Sequence, residues 1–213
     1  MVCVRKLLPL TAFAAVLVYA APAPAQTIID EWQSVKAPPA PEFKAVTVDP
    51  KTTALLVLDL LKQICTNERG PRCAASLPKV KNYLDEARAR GLLVVYSLFP
   101  GLTVADILPE VAPKGNEPII TGELDKFEGS ALDKILKDKG IKSVIIIGTK
   151  SNGAILYTAT TAFIRGYQTI LAVDAVSGTS PYIEQYVIYN FVSAPVVGGK
   201  VILTRNDMIK FAN

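Results

Sequence analysis

The sequence feature that most constrains the fold is the stretch from residue 143 to residue 159. It opens with the apolar, β-branched run Val144-Ile145-Ile146-Ile147, then passes through a turn of small and polar residues into a segment with helical spacing. A continuous apolar run of this kind is typical of a strand that is buried on both faces of a parallel sheet. The turn would lie at the carboxyl end of that strand, which is where ligands bind in open α/β sheets.

We therefore predict a small-molecule site in this turn. The free N–H groups at the start of the following helix would point into the same crevice and favour an anion or a carbonyl oxygen. The predicted ligand-binding residues are Gly148, Thr149, Lys150, Ser151, Asn152 and Gly153.

Apolar runs that predict strands alternate with helical patterns five times along the chain. This alternation predicts a three-layer α/β/α fold with an open, mostly parallel sheet and right-handed crossovers, in the order of Rossmann-like folds. We see no internal repeat and assign residues 51–213 to one domain. The predicted strands cover residues 53–58, 92–97, 118–120, 143–147, 167–173 and 200–204, and the predicted helices cover residues 77–90, 131–139, 153–165 and 181–192.

The first 25 residues have the pattern of a secretory signal peptide. Arg5 and Lys6 precede an apolar run over residues 7–21, and residues 23–25 read Ala-Pro-Ala, a small-residue cleavage pattern. The run is short for a membrane span. We expect cleavage after Ala25, export to the periplasm or the medium, and no membrane span in the mature chain.

The chain contains no histidine, and this absence excludes several kinds of site. Catalytic arrangements that pair histidine with serine or cysteine are impossible, and the commonest zinc ligand is missing, so we predict neither a metal nor a cofactor. Removing residues 1–25 takes away two of 23 cationic side chains and none of the 19 acidic ones, which leaves a net charge of about +2. This balance gives no support to nucleic-acid binding.

Two cysteines remain after the predicted cleavage, Cys65 and Cys73. An even number of cysteines in an exported protein favours a disulfide, and this one would staple a local turn. A second interpretation is that Cys65 is a free nucleophile near Asp59. Asp59 directly follows the predicted strand 53–58, which places it either in the crevice or at the N-cap of a helix.

Three groups of short motifs point to a family. They are LLVLD over residues 55–59, FEGSAL over residues 127–132 with GIKSVIIIG over residues 140–148, and ATTAFIRGY over residues 159–167 with VDA over residues 173–175. In this order and spacing they resemble the isochorismatase-like cysteine hydrolase superfamily, which includes isochorismatases, nicotinamidases and N-carbamoyl amidases. The resemblance covers residues 53–203.

The resemblance implies a mechanism in which an aspartate, a lysine and a cysteine act together. The cysteine, at the N-terminus of the helix after the central strand, attacks a carbonyl as a thiolate while the aspartate handles the proton. Backbone N–H groups of the same turn stabilise the oxyanion. The resemblance also implies a non-proline cis peptide in this turn and assembly into homo-oligomers.

Only part of this catalytic set matches the present chain. Asp59 matches the family aspartate. The nucleophile motif falls on residues 148–154 and puts Ala154 at the cysteine position, and counting six residues back from Phe127 puts the lysine position at Thr121. Two of the three catalytic groups are therefore predicted to be absent.

Four substitutes for the missing nucleophile remain open, and an unbridged Cys65, considered above, is one of them. Ser151 is another, although its position before a helix favours a helix cap. Lys150 would either place an ammonium group in the pocket or extend into solvent. Asp59 would activate a water molecule directly, without any nucleophile from the protein.

These observations support three hypotheses. The first is an exported, catalytically degenerate family member, a pseudoenzyme, that binds a small molecule at the old crevice. The second is an active hydrolase of small amides, esters or vinyl ethers that uses Asp59 and water. The third is an assembly protein whose proline-rich N-terminal arm, residues 26–50, makes oligomer contacts; the run of prolines over residues 37–41 predicts an extended conformation there.

Overall fold

The computed structural model describes residues 26–212, which form two units, residues 26–38 and residues 39–212. The predicted signal peptide lies outside the described residues. No helix among residues 26–212 is both long enough and apolar enough to cross a membrane.

The first unit contains one short helical turn, α1 (Ile28–Glu31). Thr27 and Asp30 form a capping box, in which the Thr27 backbone N–H and hydroxyl donate to Asp30 Oδ2 at 2.9 and 2.8 Å. Such reciprocal capping offsets the unpaired backbone groups of a helix start. The arm predicted as extended therefore begins with a helical turn, ahead of its prolines.

The second unit is built on a six-stranded sheet in which every pairing is parallel. Its strand order is β4-β3-β2-β5-β6-β7, and helices connect the strands. The predicted α/β fold is confirmed. The strands are β1 (Val46–Val48), β2 (Thr53–Leu58), β3 (Leu93–Leu98), β4 (Ile119–Thr121), β5 (Ser143–Thr149), β6 (Gln168–Ser177), β7 (Ile202–Thr204) and β8 (Ile209–Phe211). The remaining helices are α2 (Pro71–Ala89), α3 (Leu132–Asp138), α4 (Leu156–Ile164) and α5 (Pro181–Ser193).

The central strands are buried on both faces, and alternate side chains belong to different cores. Leu55 of β2 packs in the same cluster as Leu84 of α2, whereas Leu56 packs in the cluster that contains Phe191 of α5. This follows from the two-residue repeat of a strand. Helix α2 thus covers one face of the sheet, and α3, α4 and α5 cover the other.

A separate two-stranded parallel sheet joins β1 to β8, with Val46 opposite Ile209 and Val48 opposite Phe211. Strand β1 lies within residues 26–50, which we assigned to the extended arm, and it pairs this segment with the second unit's β8. Its alternating pattern, Val46-Thr47-Val48, buries Val48 against the α2 side of the core. A strand of three residues is not stable on its own. Strand β1 is ordered because it pairs with the distant β8 and packs against the core.

Two element boundaries differ from the sequence prediction by more than three residues. Helix α2 begins at Pro71 instead of residue 77, because proline at the first helical position needs no hydrogen-bond partner. Strand β6 continues through Asp174 to Ser177, and its pairing with β5 changes register between Ile146 and Gly148. Asp174 therefore lies within a strand and not at its end.

Cys65 and Cys73 form a disulfide with a Cα–Cα distance of 5.0 Å, and both are buried. The bond joins the loop after β2 to the first turn of α2. The predicted pairing is confirmed, and the alternative in which Cys65 is a free nucleophile does not hold in this structure.

We expect the protein lacking residues 1–25 to contain no free thiol until it is reduced, and two afterwards. The reason is that its only two cysteines are paired with each other. Thiol titration in denaturant, with and without prior reduction, measures this directly. Two titratable thiols in the unreduced, denatured protein would contradict the disulfide.

Candidate functional site

A crevice opens where the chain leaves the adjacent strands β2 and β5. Strand β2 leads towards α2 on one face of the sheet, and β5 leads to α4 on the other face. Where neighbouring parallel strands send their connections to opposite faces, the carboxyl ends of those strands border an open site. The residues at these two strand ends are therefore the candidates for chemistry.

Gly148 lets the backbones of β5 and β2 approach closely at this point. Its φ is +122°, and a Cβ atom placed there would lie 2.1 Å from the carbonyl oxygen of Leu58. Only glycine fits such a position. The next peptide bond, between Thr149 and Lys150, is cis, as the family resemblance implies. The Thr149 hydroxyl donates to the carbonyl oxygen of Ser177 at 3.1 Å and anchors the turn.

Asp59 is fully buried at the carboxyl end of β2, with a positive φ of 52°. The Ser97 hydroxyl at the end of β3 donates to Asp59 Oδ1 at 2.7 Å, and the Asp59 backbone N–H donates to Ser97 Oγ at 3.3 Å. The first helix after Asp59 is α2, which has Gly70 as its N-cap. Asp59 is thus a crevice residue and not the helix cap considered as its alternative.

Lys126 is the residue that sequence reasoning missed. Its side chain is fully buried, and its Nζ lies 3.0 Å from Asp59 Oδ2 and donates to the carbonyl oxygen of Gly122 at 2.8 Å. Its backbone N–H donates to Thr158 Oγ1 of α4 at 3.1 Å, which ties the loop after β4 to that helix. The structure therefore supplies the lysine that we predicted to be absent.

The placement of the lysine position at Thr121 is corrected accordingly. Thr121 is exposed at the end of β4, and β3 separates that strand from β2. The loop of residues 122–126 folds back from β4 and returns the chain to the centre of the sheet. The sequence did contain one signal that could have identified Lys126. It directly precedes Phe127, the first residue of the FEGSAL motif.

The buried pair has unusual electrostatics. Burial raises the pKa of Asp59, an effect that the Lys126 charge and the hydrogen bond from Ser97 oppose. Burial lowers the pKa of Lys126, and the Asp59 charge opposes that shift. Both directions favour the neutral forms, as expected when charged groups leave water. Two groups with converging pKa values can exchange a proton, and such pairs are typical of functional sites.

A cavity of about 360 Å³ lies against the turn. Ala154 presents a methyl group to it at the cysteine position, and Lys150 and Asn152 supply its polar side chains. Phe99 lines this cavity and also contacts the buried pair, with Lys126 Nζ 4.0 Å from the centre of its ring, whereas neither Asp59 nor Lys126 lines the cavity. The lining residues are Ile64, Phe99, Leu124, Lys150, Asn152, Gly153 and Ala154. Among residues 26–212, no group of three or more cysteine, aspartate or glutamate side chains is placed to hold a metal ion.

Ser151 has neither of the roles considered for it. Its hydroxyl is buried and has no hydrogen-bond partner among the described residues, so it does not cap the following helix. It lies against Gly178, where an added Cβ atom would come within 2.5 Å of Ser151 Oγ, and it does not line the cavity. The chain over Ser151–Ile155 forms a wide π-type turn before α4 begins at Leu156.

A family model described as the isochorismatase domain matches residues 53–204. The chain belongs to the isochorismatase family. The match begins at the first residue of β2 and ends at the last residue of β7, so it covers the whole six-stranded sheet and the crevice. The family resemblance found in the motifs is thereby confirmed.

Curated relatives within this family are distant. A secreted isochorismatase effector from Verticillium dahliae is 29% identical over 113 residues, covering 48% of this chain and 60% of that one. Streptothricin hydrolase from Streptomyces noursei is 31% identical over 133 residues, covering 57% of this chain and 53% of that one. This chain thus spans little more than half the length of these two relatives.

Solved structures share the fold over most of the chain. An isochorismatase-like hydrolase from Alkaliphilus metalliredigens has a TM-score of 0.67 at 22% identity, covering 73% of this chain and 95% of that one. N-carbamoylsarcosine amidase from Thermoplasma acidophilum has a TM-score of 0.63 at 24% identity, covering 73% and 97%. At these identities the comparison establishes the fold alone.

Proposed function

We propose that this isochorismatase-family protein is a small-molecule hydrolase that works by proton transfer from Asp59, without a covalent intermediate. The observation that carries the proposal is the buried Asp59–Lys126 pair, with its 3.0 Å separation, beside a nucleophile position occupied by Ala154. The crevice contains an acid and a lysine in contact, and Ala154 provides no thiol beside them. The presence of Lys126 supports an active hydrolase more strongly than the sequence did, because the sequence prediction left the lysine position empty.

The proposed reaction uses proton transfer by Asp59, because the cavity contains no nucleophile at Ala154. A methyl group at Ala154 cannot attack a carbonyl, so a covalent acyl intermediate at that position is excluded. Because burial raises the pKa of Asp59, its carboxyl holds a proton to higher pH than an exposed aspartate does. A buried ion pair also stabilises a fold little compared with apolar packing, so its presence in the crevice favours a chemical role.

Vinyl ethers are the substrate class that suits this site, because their hydrolysis needs an acid and water but no nucleophile from the protein. Asp59 donates its proton to the terminal alkene carbon, which leaves an oxocarbenium ion, and Lys126 stabilises the aspartate that remains. Water adds to the cation, its proton returns to Asp59, and the hemiketal breaks into a ketone and an alcohol. The Lys150 ammonium in the cavity wall favours a substrate that carries a carboxylate.

The proposal includes export and self-association. The signal-peptide pattern of residues 1–25 and the similarity to a secreted effector support export to the periplasm or the medium. The exposed tyrosines of α5, Tyr182, Tyr186 and Tyr189, support a homo-oligomer, because large exposed aromatic side chains are enriched at interfaces.

The proposal is tested with a substrate panel. Purified protein is incubated separately with a carboxylate-bearing vinyl ether, an amide and an ester of similar size, and the products are measured by chromatography. We expect ketone and alcohol from the vinyl ether only, with the protein mass unchanged during turnover. A covalent adduct detected by mass spectrometry, or amide turnover with none of the vinyl ether, would overturn the proposal.

A second candidate function is ligand binding without turnover. The observation that favours it is Phe99, whose ring contacts Lys126 and lines the cavity, whereas the buried pair itself does not line it. If that ring never moves, the cavity holds a ligand out of reach of Asp59. Saturable binding of the vinyl ether with no product from any member of the panel would favour this candidate.

Replacing Phe99 with alanine is expected to raise kcat/KM for the vinyl ether by about tenfold. If the ring has to move before substrate reaches Asp59, only molecules with the ring open can bind productively. The apparent affinity then falls by the fraction of open molecules, which is roughly one in ten for a minor conformation. Val104→Ala, in the loop that follows, changes an exposed side chain and serves as the control. A fall in kcat/KM for Phe99→Ala would show that the ring contributes binding energy and does not block access.

A further inference from the structure

A second cavity, of about 500 Å³, lies between α2, the carboxyl-terminal part of β6 and the turn after β7. It shares no lining residue with the cavity beside Ala154. It adjoins a further space of about 420 Å³, with which it shares Lys79 and Asp174. Nothing in the proposed hydrolysis uses this region.

Two buried polar atoms in the wall of this cavity have no hydrogen-bond partner among the described residues. They are the hydroxyl of Tyr83, whose side chain belongs to a residue only 3% exposed, and the amide oxygen Oδ1 of Asn206. Leaving such an atom unpaired in a folded protein is unfavourable, because the atom has lost its hydrogen bonds to water. Tyr83 and Asn206 both line this cavity, so a bound ligand is a single explanation for the two unpartnered atoms.

Two carboxylates lie near the Tyr83 side chain, those of Glu86 and Asp174. Burial raises the pKa of Tyr83, and the nearby charges of Glu86 and Asp174 raise it further. Asp174 is held in place because the Asn206 backbone N–H donates to its Oδ1 at 3.1 Å. The residues that line this cavity therefore offer three kinds of oxygen acceptor: a carboxylate, an amide oxygen and a phenol oxygen.

Charges at the cavity also favour a cation. Its lining includes three acids, Glu86, Asp174 and Asp207, against two bases, Lys79 and Arg205. Arg205 is already paired with Asp207, at 3.1 Å. Glu86 is paired with Arg90 at 4.0 Å, whereas the Asp174 carboxylate has no ion-pair partner among residues 26–212, which leaves one acid of the lining without a cation.

We infer that this cavity binds an organic ammonium ion, with a primary amine at Asp174, Tyr83 and Asn206. A primary ammonium group has three N–H donors and one positive charge, which matches the three kinds of oxygen acceptor and the unpaired Asp174 carboxylate. The inference goes beyond the proposed hydrolysis and is independent of it.

Titration calorimetry of the purified protein with cadaverine, a diamine, tests the inference. We expect saturable binding of cadaverine, no binding of 1,5-pentanediol, which has the same length without charge, and no binding of Ca²⁺. Asp174→Asn is expected to weaken cadaverine binding by about tenfold or more, because a charged hydrogen bond is lost while the shape is kept. Tyr83→Phe is expected to weaken it by roughly threefold or more.

Two further variants keep the result interpretable. Glu86→Gln changes an exposed helix residue, so it should fold even if Asp174→Asn does not, and it is expected to weaken binding as well. Asp138→Asn, an exposed residue at the end of α3, is the control that leaves cadaverine binding unchanged. The inference is overturned if cadaverine does not bind, if pentanediol or Ca²⁺ binds equally well, or if Tyr83→Phe and Glu86→Gln bind like the wild type.

Discussion

Replacing Lys126 with methionine is expected to lower the free energy of unfolding by about 3–5 kcal/mol at pH 7. Methionine keeps most of the aliphatic packing but leaves the Asp59 carboxylate buried without its cation. Equilibrium denaturation with urea measures the change. The loss should shrink as the pH falls. Without Lys126 the pKa of Asp59 in the folded state lies further above its value in the unfolded state. The variant is therefore most stable below the unfolded-state pKa, and it loses stability as the pH rises through the folded-state pKa.

Two variants sharpen this stability prediction. The double variant Asp59→Asn/Lys126→Met removes both charges and should recover most of the loss, since asparagine also tolerates the positive φ at residue 59. Lys134→Met removes one partner of an exposed pair with Asp138 and is expected to change stability by less than about 1 kcal/mol. A Lys126→Met protein as stable as Lys134→Met would mean that Asp59 is neutral in the native protein at pH 7.

Replacing Asp59 with asparagine is expected to lower kcat/KM for the vinyl ether by a factor of about 100 to 10,000, the usual contribution of a general acid. Asparagine keeps the shape of the side chain and an acceptor for the Ser97 hydroxyl, but it has no proton of suitable acidity to give. Initial rates of ketone formation measure the effect.

The pH profile separates an acid catalyst from a structural residue. In the wild type, kcat/KM should be highest where Asp59 is protonated and fall as pH rises through its pKa, which burial raises. In Asp59→Asn the residual rate should show no such fall. Glu128→Gln, an exposed acid close to Lys126 in sequence, is expected to keep both the rate and the profile. A wild-type rate that does not depend on pH would contradict the role of Asp59.

The fold was predictable because its signals are local and repeated. Three signals agree with the same parallel sheet: the apolar run of β5, the alternation of strand and helix, and the glycines that follow two predicted helices, Gly140 and Gly166. The spacing of apolar residues shows which faces of an element are buried. Strands that are buried on both faces occur almost only in parallel sheets covered by helices. Strand β1 escaped prediction because three residues carry too little pattern, and its partner β8 lies at the other end of the described chain.

The site was only half predictable. Asp59 and the turn after β5 follow strand ends, so topology alone places them in the crevice. Lys126 follows a strand only after an irregular loop, and the number of residues in a loop does not determine where its end returns. The counting argument that selected Thr121 assumed a loop of fixed length. Ser151 was misassigned as a cap because the wide turn at its position leaves its hydroxyl facing Gly178.

The pairing of β1 with β8 has a consequence for the order in which the domain forms. Residues 46–48 have no strand partner until residues 209–211 arrive, and such distant contacts are slow to form because they close a long segment of chain. During synthesis from the N-terminus, the six-stranded sheet has all its strands before this contact becomes possible. The pairing of β1 with β8 therefore forms last, and β1 has no strand partner until residues 209–211 have emerged.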